Sequence, residues 1–86
     1  MKLIFCIECH DIRKLHNTTT SCNCNKSWGW YRNDGHKAVI GGKAIPLGIA
    51  NESLKAALNN RPESGQGERV DAFVIPISCS TIEEIK

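Results

Sequence analysis

Four cysteines, Cys6, Cys9, Cys22 and Cys24, fall within 19 residues of an 86-residue chain. A domain this small buries only a modest share of its surface, so it commonly needs a covalent or metal cross-link to fold. Two short cysteine pairs on separate turns supply four soft thiolates in the tetrahedral arrangement that Zn2+ prefers. The first pair has CxxC spacing and the second the tighter CxC. Zn2+ is the expected ligand, and an iron–sulfur or redox cluster is the alternative. Four thiolates leave no open position for water, so the expected metal is structural. His10, next to Cys9, is expected to point away from it. Asn25 follows Cys24 and tolerates the left-handed backbone that a ligand turn often requires. The fifth cysteine, Cys79, is read as a small buried hydrophobe or inert thiol.

Hydrophobic residues make up 41% of the chain and charged residues 23%, as in an ordinary folded domain. The whole of 1–86 is read as one domain. No run approaches the ~18 apolar residues of a membrane span. The opening "MKLIFCIEC" is too short and too polar for a signal segment, so the expected location is the cytoplasm. A reducing compartment also favours metal ligation over disulfides. Residues 1–43 carry a net +4 and residues 44–86 a net −2. One Zn2+ on four thiolates brings the total to about zero, which argues against strong non-specific attraction to nucleic acid.

"KLIFCI" reads as a strand entering the first cysteine turn and "DIRKLH" as its return. "WGWYR" reads as extended, and "NDG" at 33–35 is a tight-turn signal that pairs it with "HKAVIGG". In "KAIPLG", Pro46 lacks an N–H and is expected at a sheet edge or bulge. Residues 52–60 form the expected helix, capped by Asn51, with Leu54, Ala57 and Leu58 as its buried stripe and Pro62 as its stop. "VDAFVIPI" at 70–77 is the strongest strand signal. Ser80 and Glu83 have capping-box spacing, so "STIEEIK" is expected to form a final helical turn. The fold class is therefore α+β: a small zinc-ribbon-like knuckle joined to a short antiparallel sheet of four or five strands with one packed helix.

On a strand Trp28 and Trp30 share one face and Tyr31 takes the other, so one face can be core and the other a site. A nucleotide-type ligand would stack on Trp30 and Tyr31. Its phosphate would be held by Arg32, Lys43 and Arg69, and its polar edges read by Asn51 or Glu68. Asn33 and Asp34 complete this polar set. His36 with Asp34 does not make a catalytic constellation, and no catalytic residues are expected.

The run of CxxC and CxC, then "GWYRNDG", "PLGIANESLKAAL" and "ESGQGERVDAFVIP", resembles a family of short phage- and prophage-associated bacterial proteins that begin with a zinc knuckle. The resemblance spans nearly the full length. It implies a phage or prophage context and transfers no catalytic residue. The expected function is non-enzymatic: an accessory or anti-defence protein that captures a small nucleotide-type ligand or a host protein. The alternative is a zinc-ribbon nucleic-acid-binding protein or transcriptional adaptor. A metal-dependent hydrolase ranks last. A homo-oligomer with a two-fold interface would give so small a chain a deeper pocket.

Overall fold

The computed structural model describes residues 1–85. Its elements are β1 (Lys2–Cys6), β2 (Ile12–Lys14), β3 (Thr20–Ser21), β4 (Ser27–Tyr31), β5 (Ala38–Gly42), β6 (Ala44–Ile49), α1 (Asn51–Asn59), β7 (Ala72–Val74) and β8 (Ile82–Ile85). The class is α+β, but the strands form two four-stranded sheets rather than one. Their orders are β2-β1-β6-β7 and β3-β4-β5-β8.

The second sheet arises where one long extended segment changes partners. β5 pairs with β4, and after Lys43 alone the chain resumes as β6, paired with β1. Gly42 makes the crossing in the left-handed region, at φ 69°. A methyl group there would run into the Lys26 carbonyl oxygen, which already accepts the Lys43 N–H at 2.8 Å. Only glycine meets both demands.

Alternate residues of the two sheets face each other across the core. Ile4, Leu15, Ala38, Ile40 and Ala44 form the buried cluster, with Tyr31 and Ile82 packed against it. Tyr31 is thus the inward residue, on the face opposite Trp28 and Trp30, and not the ligand-stacking ring the sequence suggested; its hydroxyl accepts the Lys2 backbone N–H at 2.8 Å.

Three expectations are corrected. The residues expected to form a final helical turn form β8 instead, which runs parallel to β5 with Ile82 opposite Ala38. β-branched Thr81, Ile82 and Ile85 favour an extended backbone, and burying Ile82 on the core outweighs a capping-box pattern. Lys86, the last residue of that stretch, lies outside the described residues.

Pro46 sits in an internal strand, opposite Ile4 of β1. Its carbonyl accepts the Ile75 N–H at 3.0 Å. The N and O of one strand residue point the same way, so the missing donor faces Ile75, just past the end of β7, and only the second bond of that terminal pair goes unmade.

The helix is correctly located but buries none of its residues, and Leu58 is 65% exposed. The segment 70–77 contributes only the three edge residues of β7. This arm explains the elongated outline. The Cα radius of gyration is 14.1 Å, against about 12 Å for a compact chain of this length.

Candidate metal centre

Cys6 ends β1 and Cys9 lies in the turn to β2. Cys22 follows β3 and Cys24 lies in the turn to β4. The two turns are near copies. In the first, the Cys6 N–H donates to the Asp11 carbonyl (2.9 Å) and the His10 N–H to the Cys6 carbonyl (2.8 Å). In the second, the Cys22 N–H donates to the Ser27 carbonyl (2.9 Å) and the Asn25 N–H to the Cys22 carbonyl (3.1 Å).

Each pair is followed by a residue in the left-handed region, His10 at φ 60° and Asn25 at φ 63°. Asn25 behaves as its side chain allows. His10 does so without that chemistry, and its ring stacks on Phe5, with centroids 5.6 Å apart.

The four sulfurs lie within 4.8 Å of one another, and no two are joined in a disulfide. Cys24 Sγ is 3.5 Å from Cys22 Sγ and 3.7 Å from Cys6 Sγ. Four sulfurs at about 2.3 Å around one metal ion would stand about 3.8 Å apart, so the cluster already has the dimensions of a tetrahedral thiolate site. Cys6 and Cys22 are buried, while Cys9 and Cys24 reach partly to the surface.

The surroundings favour the thiolate at Cys6 and Cys22 but not at Cys24. Burial opposes the charge on Cys6, but the Ser27 side chain and the N–H groups of Cys9 and Glu8 lower its pKa. Burial also opposes the Cys22 thiolate. Donation from the Cys24 thiol and the Ser27 N–H nonetheless brings Cys22 down to about 6. At Cys24 the Lys26 N–H favours the thiolate, but burial and donation to Cys22, Cys9 and Cys6 hold its proton on, up to about 12.

One contributor has only a weak signal in the sequence. Asp11, two residues after Cys9, accepts the Asn23 N–H at 2.9 Å and the Arg13 Nε at 2.7 Å. Its carboxylate therefore ties the first cysteine turn to the second. The Arg13 guanidinium, with the Asn23 amide, holds the Asp11 carboxyl below its usual range.

The expected ligand residues separate into several places. Trp30, Tyr31, Arg32 and Asp34 line one hollow of about 480 Å³, together with Asn17, Asn33 and Lys37. Arg32 pairs with Glu83 of β8, which borders an adjoining hollow and not this one. Asp34 Oδ1 accepts the N–H groups of His36 and Lys37, each at 2.9 Å, closing the "NDG" turn. Gly35 in that turn has φ 68°. Lys43 lies at the crossing between sheets, its carbonyl accepting the Ile7 N–H from the first cysteine turn at 3.4 Å.

Asn51 is the first helical residue rather than the cap, a position held by Ala50. Its Oδ1 accepts instead from the Met1 amino group at 3.0 Å. Glu68 lines a separate hollow between α1 and the 61–70 loop, and Arg69 is exposed in that loop. Trp28 and Trp30 share the outer face of the second sheet, with Trp28 laid over Gly41 and Trp30 opposite Val39. Cys79 stands apart from the tetrad, its sulfur 3.2 Å from Thr81 Oγ1.

Among the described residues, no helix is long and apolar enough to cross a membrane. Compared with known proteins, the chain matches no family model, no curated relative and no solved structure.

Proposed function

We propose that the chain is a zinc-stabilised, non-enzymatic binding protein. Cys6, Cys9, Cys22 and Cys24 hold one Zn2+ in a closed four-sulfur site, and a nucleotide-type ligand binds in the hollow around Trp30. The observation that carries the metal half is the clustering of the four sulfurs at near-tetrahedral spacing, ringed by N–H donors. Four thiolates fill the coordination sphere of zinc, so the metal holds the two turns together and leaves no position for an attacking water.

The ligand half is supported by the hollow's composition. An indole, a lysine and two asparagines converge there. These are the groups that stack a base, hold a phosphate and read polar edges. The Tyr31 ring, expected to stack with Trp30, is instead turned to the core with its hydroxyl held by the Lys2 N–H. Arg32 and Asp34 have partners within the chain, so Lys37 takes the phosphate role that the sequence assigned to Arg32. A phage or prophage accessory role belongs to the same proposal and rests on the sequence resemblance.

Native mass spectrometry of the purified protein, alone and with a panel of mono- and cyclic nucleotides, tests both halves. The expected result is one zinc per chain and one retained nucleotide, with retention lost in Trp30→Ala and reduced in Lys37→Ala. A small enclosed ligand should hold its affinity as salt rises. A steep loss with salt, together with binding to oligonucleotides, would replace this reading with that of a nucleic-acid adaptor.

A further inference from the structure

Ser27 opens β4, and it is the point where the second cysteine turn returns to the sheet. Its carbonyl accepts the Cys22 N–H at 2.9 Å, which fixes the residue directly beside the cysteine cluster. Its side chain points inward and is fully buried, 0% exposed, as is Cys6 on β1. Among the described residues, the Ser27 hydroxyl is the one buried side-chain polar atom without a conventional hydrogen-bond partner.

A buried hydroxyl with nothing to bond is a liability that alanine would remove at almost no change in shape. Serine makes physical sense there if an acceptor exists in the working state. The Cys6 sulfur provides one: β1 packs against β4, and Cys6 and Ser27 are both fully buried where those strands meet the cysteine cluster. As a metal-bound thiolate it carries charge, and charged acceptors make the stronger hydrogen bonds. Metal ligands are commonly oriented by such outer donors.

We infer that the Ser27 hydroxyl is an outer donor of the metal centre, giving its hydrogen bond to the Cys6 thiolate and holding that sulfur in the coordination sphere. The inference rests on the metal reading given above. It makes Ser27 a positioning residue for the metal, at the most buried of the four ligands. The two backbone donors to the same sulfur, Glu8 and Cys9, come from its own turn, whereas Ser27 comes from the other. The hydroxyl thus couples the second turn to the ligand of the first.

The direction of the effect in Ser27→Ala decides the matter. Zinc affinity is measured by chelator competition on the full chain, alongside the wild type. Cobalt is then bound to both proteins, and its sulfur-to-metal charge-transfer band is recorded. The expected result is a loss of about 10- to 100-fold in zinc affinity and a shifted cobalt band, with a folded circular dichroism spectrum at saturating zinc.

Equal or tighter zinc binding by Ser27→Ala, with an unmoved cobalt band, overturns the inference and leaves the metal reading intact. A wild type that takes up neither zinc nor cobalt overturns both. Should the variant not fold, NMR of the cadmium-loaded wild type takes its place. A protected Ser27 hydroxyl proton coupled to the metal nucleus supports the inference, and a freely exchanging, uncoupled hydroxyl overturns it.

Discussion

The cysteine end and the α1 arm of this chain are built on opposite terms. At the cysteine end, two turns of similar hydrogen bonding bring four sulfurs within 4.8 Å, and Asp11 bridges them. In the arm, a regular nine-residue helix fully buries no residue, half-buries Leu54 and Ala57, and leaves Leu58 at 65% exposure. The helix is tied to the segment before β7 by hydrogen bonds such as the Asp71 N–H to Ser53 Oγ at 2.8 Å and, at its cap, the Ala50 N–H to the Asp71 carbonyl at 2.9 Å. A small fold can therefore gather four potential metal ligands at one end and carry a mostly exposed helix at the other.

The largest test of that contrast is removal of the metal ligands. Structural zinc in small domains carries apparent binding free energies of about 10–16 kcal/mol at neutral pH, more than the whole stability of most such chains. Cys6→Ser, or a strong chelator on the wild type, should abolish the cooperative melting transition seen by circular dichroism. Survival of that transition would mean that the sheets hold themselves together.

Next in size is the crossing between the sheets. Gly42→Ala forces a side chain into the left-handed region and against the Lys26 carbonyl, and should cost about 3 kcal/mol in urea denaturation. In the arm, by contrast, Leu58→Ser should change stability by no more than about 0.5 kcal/mol. A loss several times larger would mean that the helix is covered in solution, and sedimentation would then show whether a second copy covers it.

The smallest effect concerns Asp34. The His36 N–H, then that of Lys37, hold its carboxyl below the ordinary value of 3.8. A depressed folded pKa stabilises the "NDG" turn fully above the unfolded value. That contribution is lost as pH falls through the lower, folded one. In a His36→Gln variant, which removes the neighbouring imidazole, the amide NMR signals of residues 36 and 37 should accordingly stay fixed from neutral pH down to about pH 4 and move only below it. Movement at higher pH would show that the carboxylate does not cap the turn.

What can be read from the sequence is local. The cysteine spacing marks the tetrad, "NDG" marks the turn, and strand alternation puts Trp28 with Trp30 and sets Tyr31 opposite them. The helix emerges from its apolar stripe and Pro62, but its burial does not follow, because periodicity reports an apolar face and not what lies against it. The second sheet depends on a change of partner at Gly42, a long-range event with no local signature.

The parallel pairing of β8 with β5 is likewise long-range, and it overrides a plausible cap. The scattered fate of Lys43, Asn51, Glu68 and Arg69 has the same origin. Residue type marks them as able to bind a ligand, while topology sends them to separate places. Ser27 and Asp11 carry no such mark, because each acts through a cysteine turn distant in sequence.

The central claim is that the cysteine end is a closed four-sulfur metal centre. X-ray absorption at the zinc edge of the purified protein tests it most directly. Four sulfur scatterers at about 2.3 Å, with no nitrogen or oxygen in the coordination sphere, is the predicted result. A folded protein whose zinc shows a lighter ligand in place of one sulfur, or that holds no metal at these cysteines, would contradict it.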